Sequence, residues 1–425
     1  MKLCIKNGIL VSPLMDIHEK YDILIQDGII TQIEKDIQGD DFDRIDASHQ
    51  YILPGLVDMH CHLRDPGYEY KEDISTGIKA AARGGFTSIA CMANTLPPVD
   101  HAAILFYISM KAKKENSVKV YPIGAVTKGL KGEELSEMGE LLEAGAVAFS
   151  DDGKPIMNSH LMKLALQYAQ NFDALIISHC EDINLANEGV MNEGYMSTLL
   201  GLKGISRAAE ETMIARDLIL AETLNSRVHI AHVSTKGSIT LIRNAKKNGV
   251  RVTCETAPHY FSASEEWVVD YNTNTRVNPP LRTKEDIAAI KEGLQDGTID
   301  CIATDHAPHH RDDKDVEYDL AASGISGFET AFSLGVTNLV HTGVLTIDQL
   351  VEKMSINPAR ILRISGGIIS VGSLADLIIA DLDQEYRVDI TKFLSKGKNT
   401  PFDKNVLRGM VSYTMVNGRI VMQNA

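Results

Sequence analysis

The chain has 425 residues, of which 44% are hydrophobic and 23% are charged, a composition that supports a large buried core and is typical of an enzyme-sized globular protein. Its formal net charge of −15 argues against a nucleic-acid or anionic-membrane partner, because both need a basic surface. Six cysteines without close pairing, and an N-terminal apolar run too short for export or membrane insertion, predict a reduced, cytoplasmic setting.

The two ends of the chain share one pattern. Residues 1–53 and 368–425 alternate apolar and polar residues between turns that contain Gly and Asn, as small antiparallel sheets do. Because chain ends commonly meet at a protein surface, we expect both ends to pack together. The sequence therefore predicts a small satellite β-sandwich domain formed from residues 1–53 and 368–425.

A different theme occupies residues 54–367. Short β-branched or apolar runs end in polar residues and alternate with longer stretches, such as residues 72–85 and 210–224, whose apolar residues recur at helical spacing. Eight alternating strands and helices predict an α/β fold, a (β/α)8 TIM-type barrel. The eight runs span residues 54–62, 87–94, 119–126, 146–153, 174–181, 227–234, 251–260 and 300–309.

The first run ends in two histidines, within the stretch LVDMHCHLRDPG. Side chains alternate along a strand, so His60 and His62 are expected to point the same way, into the barrel, at the strand end where barrel enzymes place their chemistry. A single histidine at such a position is more often a hydrogen-bonded core or loop residue than a metal ligand. Two imidazoles on one face favour a divalent metal site.

Later runs also end in residues that bind metals. These are Asp151 and Asp152 in the fourth run, His179 in the fifth, His232 in the sixth and Asp305 in the eighth. Together with the two histidines of the first run they exceed the three protein ligands usual for one catalytic zinc, and so they predict two metal ions bridged by a carboxylate. Alternation sends the adjacent aspartates to opposite faces, so only one of them can bridge, and spacing does not say which.

Several motifs together resemble a known family. The stretches HCHLRDPG, MANT, SHCED, AHVSTKGS, NPPLRTKED and IATDHAPH are similar to those of the amidohydrolase superfamily and, within it, of the bacterial class I dihydroorotases. The resemblance covers nearly the whole chain. It implies a cyclic amide hydrolase with two Zn²⁺ ions per subunit that interconverts N-carbamoyl-L-aspartate and dihydroorotate in pyrimidine synthesis.

The resemblance also implies roles for the metal-binding residues. It assigns one zinc ion to His60, His62 and Asp305, the other to His179 and His232, and the bridge between them to Asp152. Many relatives bridge the ions with a carboxylated lysine instead, and Lys154 lies just beyond the strand, where its alternative role is that of a solvated loop charge. Asp305 would be the catalytic residue, taking a proton from the attacking hydroxide and delivering it to the departing ring nitrogen.

A guanidinium group is expected to bind the substrate carboxylate, because it offers that group two parallel hydrogen bonds. Arg64 lies two residues beyond His62, on the same face by alternation, although it could instead form a surface ion pair with Asp65 or Glu69. The resemblance adds further substrate contacts from residues that could also be turn formers or solvated loop residues. These contacts are Asn94, Asn278, His309, Ser323 and Gly324, with His306 and His310 as neighbouring alternatives to His309.

Other functions remain open from the sequence alone. Allantoinase and dihydropyrimidinase or hydantoinase share the barrel and the metal chemistry, but they do not require a substrate carboxylate, so Arg64 favours a dihydroorotase. A catalytically silent scaffold or partner subunit would normally lack ligands, whereas here all six ligand positions are filled. The resemblance further implies a homodimer and, as in some relatives, association with aspartate carbamoyltransferase.

Overall fold

The computed structural model describes residues 2–424, and its largest sheet joins the two chain ends. Eight strands form this mixed sheet, in which Ile52 of the N-terminal part pairs with Ile379 of the C-terminal part in antiparallel register. The strands are Lys2–Ser12, Ile17–Gln26, Ile29–Glu34, Asp43–Asp46, Tyr51–Pro54, Leu377–Arg387, Val406–Val416 and Arg419–Gln423. The two ends therefore meet in β-structure, as one connected sheet.

This sheet has an apolar cluster of its own. Alternate residues of neighbouring strands, such as Leu3 with Ile5 and Ile23 with Ile25, share one face and are buried together with Met415 from the C-terminal part. The alternation read from the sequence thus places apolar residues on one side of the sheet, where they form a core separate from that of the central strands.

The central strands are parallel and lie in two sheets. Leu56–Cys61, Phe86–Cys91 and Lys119–Pro122 form a sheet of three strands, and Ile176–Ser178, Val228–Ile230, Val252–Thr256 and Cys301–Ile302 form a sheet of four. Every residue of Leu56–Cys61 and of Phe86–Cys91 is buried, as expected for parallel strands whose two faces are both covered. These seven strands all overlap predicted runs.

The fourth predicted run, residues 146–153, does not form a strand, so that part of the prediction is wrong. Within this run only Phe149 forms β-bridges, single parallel ones to Gly124 and Ile176, and the Val147 N–H adds one hydrogen bond to Pro122 O. The ladder stops there because the Asp151 side chain, rather than a strand carbonyl, takes the next backbone N–H groups, those of Val126 and Thr127. Single bridges rather than full ladders therefore connect the two parallel sheets, which do not form one closed barrel by their strand pairing.

Helices cover the parallel strands. The stretches 72–85 and 210–224 do form helices, Ile74–Arg83 and Ala208–Leu224, and the first begins at a capping box in which Asp73 accepts from the Thr76 N–H. The remaining α-helices are Ala102–Glu115, Met138–Glu143, Ser159–Gln170, Ile183–Ala186, Tyr195–Leu200, Lys236–Lys247, Lys284–Gln295, Phe328–Gly335, Ile347–Val351 and Asn357–Leu362.

Shorter elements complete the chain. A two-stranded parallel ribbon joins Met191–Asn192 and Gly204–Ile205. Single turns of 3-10 helix are Pro13–Met15, Lys128–Leu130, Pro258–Phe261, Glu265–Val268, Thr273–Thr275, Arg311–Asp313 and Ile390–Lys392, and π-helical turns are Val336–Val340 and Glu352–Ile356. Within residues 2–424, no helix has both the length and the apolar character needed to span a membrane.

Candidate metal and substrate site

The two histidines of the first parallel strand face the carboxylates of later segments. His60 Nε2 lies 3.3 Å from Asp152 Oδ1 and 3.6 Å from Asp305 Oδ1. His62 Nε2 lies 3.2 Å from Asp305 Oδ1 and 3.5 Å from Asp152 Oδ2. All four side chains are buried. His62 and Asp305, which are 243 residues apart in sequence, therefore lie side by side in the fold.

The other two predicted ligands approach the same carboxylate. His179 Nδ1 lies 3.5 Å from Asp152 Oδ1, and His232 Nε2 lies 3.4 Å from that oxygen. The two imidazole nitrogens are themselves 2.7 Å apart. All six side chains that the sequence singled out are thus gathered around Asp152 and Asp305.

The structure separates the roles of the two adjacent aspartates. The Asp152 carboxylate faces the histidines, whereas Asp151 accepts hydrogen bonds from the backbone N–H of Val126 at 2.8 Å and of Thr127 at 3.0 Å, and from the Thr127 hydroxyl. Asp151 therefore holds the loop that follows the strand Lys119–Pro122 in place. Lys154, the alternative bridge, has an exposed side chain.

Two buried polar atoms in this cluster lack hydrogen-bond partners, as the ligand atoms of a cation site would. Among the described residues, His60 Nε2 and Asp152 Oδ1 have no hydrogen-bond partner, although such atoms are rarely left without one. Within this cluster two sets of three side chains place their ligand atoms within 4.8 Å of one another: His60, His62 and Asp305, and His60, Asp152 and His232. Imidazole and carboxylate donors in this arrangement suit zinc and similar divalent ions.

The electrostatics of the cluster also favour positive charge. Burial lowers the pKa of His60, but Asp152 and Glu255 outweigh it and raise that pKa well above the ordinary value. Burial likewise opposes ionisation of Asp152, yet the surrounding imidazoles, that of His60 foremost, hold its pKa well below the usual range. The site thus attracts protons strongly, and a divalent cation that displaces them would meet the same negative potential.

A carboxylate that the sequence analysis did not single out lies behind His60. Glu255 Oε1 is 2.5 Å from His60 Nδ1, and its Oε2 is 3.3 Å from Nε2 of His229. Glu255 stands on the strand Val252–Thr256, in the stretch CETAPH. Its position near the end of a buried strand was the available signal, but no partner for it is visible nearby in the sequence.

The predicted substrate arginine lies beside the predicted substrate histidine. Arg64 Nε donates to Pro308 O at 3.2 Å, and its Nη2 lies 3.3 Å from His309 Nε2. Arg64 does not follow the alternation of the strand, because the strand ends at Cys61 and Arg64 has φ of 61°. The alternative ion pair is absent for Asp65, which pairs instead with Lys111 at 2.6 Å.

Two hydrogen-bond partners fix the His309 imidazole as a neutral ring. Lys71 Nζ donates to Nδ1 at 3.2 Å, so Nε2 carries the proton and donates to Ser323 O at 2.9 Å. Burial, followed by the charges of Arg64 and Lys71, lowers the pKa of His309 to about 2. Lys71 is a second residue that the sequence analysis missed.

The two predicted asparagines also lie next to the metal cluster. Asn94 Oδ1 accepts from His62 Nδ1 at 2.9 Å, while its Nδ2 donates to Asp152 O at 3.2 Å. Asn278 Nδ2 donates to both carboxylate oxygens of Glu181, at 3.1 and 3.2 Å, and Glu181 Oε2 lies 3.3 Å from His179 Nε2. Both asparagines are partly exposed at the rim.

The segment after the strand Cys301–Ile302 forms the remaining wall of the substrate side of the site. Gly324 has φ of 149°, and a Cβ there would lie 2.6 Å from Ala307 O, so only glycine fits this close approach. Ser323 is exposed. A cavity of about 500 Å³ opens beside His309.

The neighbouring histidines have structural roles. His306 stacks on the ring of Phe328 with centroids 4.0 Å apart, and its Nδ1 accepts from the Gly327 N–H at 3.1 Å. His310 is half exposed and caps the turn Arg311–Asp313. Of the three histidines in this stretch, His309 is therefore the one that faces Arg64.

Comparisons with known proteins agree with this geometry. A family model described as Dihydro-orotase-like matches residues 49–238. The chain is 59% identical over 421 residues to a protein of Acetivibrio thermocellus named dihydroorotase, with 99% of each chain covered. It is 57% identical over 423 residues to a dihydroorotase of Ruminiclostridium cellulolyticum, covering 100% of this chain and 99% of the relative.

Solved structures are similar over the same length. L-hydantoinase (dihydropyrimidinase) from Arthrobacter aurescens has a TM-score of 0.89 at 28% identity, with 99% of this chain and 96% of that chain covered. Dihydropyrimidinase from Brevibacillus agri has a TM-score of 0.86 at 22% identity, with 100% and 95% covered. The second likeness concerns the fold alone.

Proposed function

The chain belongs to the dihydroorotase family, and from that premise we propose that it catalyses the reversible cyclisation of N-carbamoyl-L-aspartate to (S)-dihydroorotate and water in pyrimidine biosynthesis, as a class I member. It is an enzyme of the cyclic amide hydrolase type. Identity of 52 to 59% to proteins named dihydroorotase, over almost the full length of both chains, is the observation that carries this proposal. The position of the Arg64 guanidinium beside His309 and the metal cluster supports it, because the substrate carries a carboxylate.

We propose two zinc ions as the resident metals. His60, His62 and Asp305 would hold one, His179 and His232 the other, with Asp152 between them. Support comes from the unpartnered Nε2 of His60 and Oδ1 of Asp152 and from the two overlapping sets of ligand atoms. Zinc ions bound there lower the pKa of a water molecule and polarise the amide carbonyl.

The residues of the chain would then handle the proton. Burial raises the pKa of Asp305, but the hydrogen bond from His62 and the neighbouring imidazoles lower it overall, so the carboxylate is ionised at neutral pH. An ionised Asp305 can accept a proton from the nucleophile in the ring-opening direction and deliver it to the departing ring nitrogen. In the cyclising direction the same carboxylate takes the proton from the attacking nitrogen.

The rim residues would bind and orient the substrate. Arg64 would pair with the substrate carboxylate, and Asn94 and Asn278 would add hydrogen bonds to it. His309, neutral and fixed by Lys71 and Ser323 O, would lie against the substrate without bringing in a further charge. Ser323 and Gly324 would lie against the pyrimidine ring.

We also propose the finer architecture. The two parallel sheets would be parts of one (β/α)8 barrel of residues 54–367, which the parallel bridges of Phe149 with Gly124 and Ile176, and of Cys61 with His306, support. Residues 1–53 and 368–425 would form a composite β-domain, supported by their common apolar cluster.

A cytoplasmic homodimer is a further part of the proposal. All six cysteines are buried and unpaired, as is usual in a reducing compartment. The partners would be the small-molecule substrate and, as in some relatives, aspartate carbamoyltransferase. Light scattering of the purified protein, alone and with that enzyme, would measure both assemblies.

A dihydropyrimidinase or hydantoinase activity is the second candidate, because the Arthrobacter L-hydantoinase is similar in fold over 99% of this chain. Assays of the purified protein on dihydroorotate, dihydrouracil and allantoin decide between the candidates. We expect dihydroorotate to be turned over much faster than dihydrouracil or allantoin, its turnover to be lost after chelation, and that turnover to return with zinc. Faster turnover of dihydrouracil, or activity that chelation leaves intact, would contradict the proposal.

A further inference from the structure

A loop from the C-terminal part of the chain reaches the substrate side of the site. The strands Leu377–Arg387 and Val406–Val416 pair up to Arg387 and Val406, and residues 388–405 connect them. At the base of this loop the Val388 N–H donates to Asn405 O at 2.9 Å. We call residues 389–403 the strap, because they extend from the terminal sheet to the loops that carry His309 and Gly324.

Asn399 of the strap uses the whole hydrogen-bonding capacity of its side chain. Its Oδ1 accepts from the His309 N–H and from the Ser326 hydroxyl, both at 2.9 Å, and the single hydrogen of that hydroxyl is shared with Gly397 O, also at 2.9 Å. Its Nδ2 donates to Ala307 O at 3.0 Å and to Gly324 O at 2.9 Å. The side chain is 4% exposed. A primary amide has two donor hydrogens and two acceptor lone pairs, so this set of partners matches an asparagine in one orientation only.

The four partners come from two separate loops that both face the proposed substrate. Ala307 and His309 follow Asp305, whereas Gly324 and Ser326 follow Ser323. A single side chain therefore ties the backbone of one loop to that of the other. Removing its donors would leave two buried carbonyl groups unpaired, which a folded chain avoids.

The rest of the strap is anchored in the same region. The Ser395 hydroxyl donates to Glu72, and the Ser395 N–H donates to Glu329 at 3.1 Å. A Cβ on Gly397 would lie 2.5 Å from Cβ of Pro308, so the strap backbone presses directly against the loop before His309. These contacts hold Asn399 in place independently of any ligand.

We propose that Asn399 is a positioning residue for substrate binding, and that through it the C-terminal strap is a working part of the active site. The inference rests on the proposed function, since His309, Ser323 and Gly324 are the residues proposed to face the substrate. Asn399 contacts neither substrate nor metal and acts through the backbone of the two loops.

The test compares Asn399→Asp with Asn116→Asp. The first variant keeps the shape but turns an acceptor toward the Ala307 and Gly324 carbonyls, while the second makes the same change at an exposed position after the helix Ala102–Glu115. For Asn399→Asp we expect KM for dihydroorotate to rise by about tenfold or more, with kcat within about threefold of wild type and zinc content unchanged. Asn116→Asp should match wild type in all three.

A second variant and a second measurement cover a failure to fold. Ser326→Ala removes one donor to Asn399 Oδ1 and should raise KM by about threefold or more. Hydrogen exchange measured on the same proteins should show the amides of His309 and Ser326 exchanging about tenfold faster in the altered proteins, because their loops open more often. A loss of stability alone would lower the folded fraction and hence kcat without raising KM.

Two results would overturn the inference: a KM within about twofold of wild type in folded Asn399→Asp, or unchanged exchange at His309 and Ser326. If the wild-type protein does not turn over dihydroorotate, the proposed function fails instead. The exchange measurement still decides whether Asn399 holds the two loops, so the two failures are distinguishable.

Discussion

Nδ1 of His60 lies 2.5 Å from Oε1 of Glu255, beneath the candidate metal ligands, and neither side chain is more than 1% exposed. The hydrogen-bonding imidazoles around Glu255, that of His60 foremost, outweigh its burial and hold its pKa well below the usual value, so it is ionised and can only accept. His60 therefore donates from Nδ1 and directs Nε2 at Asp152 and Asp305, where a metal ion would displace the proton that Nε2 otherwise holds. Carboxylates behind ligand histidines commonly set the tautomer in this way.

Glu255→Gln should weaken metal binding without removing it. The amide keeps the shape but loses the charge that supports His60, so we expect zinc affinity to fall by about 10- to 100-fold and activity to return at raised zinc concentration. Competition with a chromogenic chelator measures the affinity. Glu133→Gln, at an exposed position, is the matched control. Equal zinc affinity in wild type and Glu255→Gln would show that Glu255 has no such role.

Asp305→Asn should separate catalysis from metal binding. The asparagine can still offer an oxygen toward His62, but it cannot accept a proton from the nucleophile, so we expect the fold and most of the zinc to be retained while kcat falls by about 10²- to 10⁴-fold. Steady-state rates and zinc analysis on the same preparation test this. Turnover close to that of wild type would remove Asp305 from the role of proton carrier.

The sequence was sufficient for side chains whose position follows from local rules. His60 and His62 could be placed together because His60 lies at the end of one strand and His62 directly follows it, so the alternation still holds for both. Asp151 and Asp152 could not be separated, since the choice depends on the N–H groups of Val126 and Thr127, which lie about 25 residues away in the chain.

Other features were missed because their partners are remote in sequence. Glu255 reads as an acid on a buried strand until His60, 195 residues away, is brought beside it. Asn399 lies in a segment that the alternation pattern assigns to the terminal sheet, and only the folded chain brings it within 2.9 Å of the His309 N–H. For Arg64 the reasoning from alternation was wrong, because its φ of 61° ends the strand geometry.

Arg64→Gln should affect carboxylate-bearing substrates selectively. Loss of the guanidinium removes a charge-assisted pair, so we expect KM for dihydroorotate to rise by about 10- to 100-fold, with zinc content unchanged. The ratio of kcat/KM for dihydroorotate to that for dihydrouracil should fall by the same factor. Arg363→Gln, which alters an exposed arginine paired with Asp173 at 2.5 Å, is the control. An unchanged ratio would place the substrate carboxylate elsewhere.

Lys314 connects the loop after the strand Cys301–Ile302 to the turn before Asn278. Its side chain is buried, and Nζ donates to Thr273 O at 3.0 Å and to Arg276 O at 3.1 Å. Burial, with the like charge of Arg276, lowers the pKa of Lys314 to about 7. In the unfolded chain the same lysine keeps its proton up to its ordinary pKa of 10.5. Between these two values the unfolded chain binds more protons than the folded chain.

The contribution of Lys314 to stability should therefore increase with pH. Below its folded pKa the buried ammonium carries its full cost, and that cost disappears as pH rises from 7 toward 10.5. The difference in unfolding free energy between wild type and Lys314→Met should shift in favour of wild type by on the order of 2 to 4 kcal/mol between about pH 7 and pH 10. Urea titrations of metal-free protein at several pH values measure it. With Lys79→Met, at an exposed helix position, the difference should stay constant; a flat difference for Lys314→Met as well would mean that Lys314 remains an ammonium throughout.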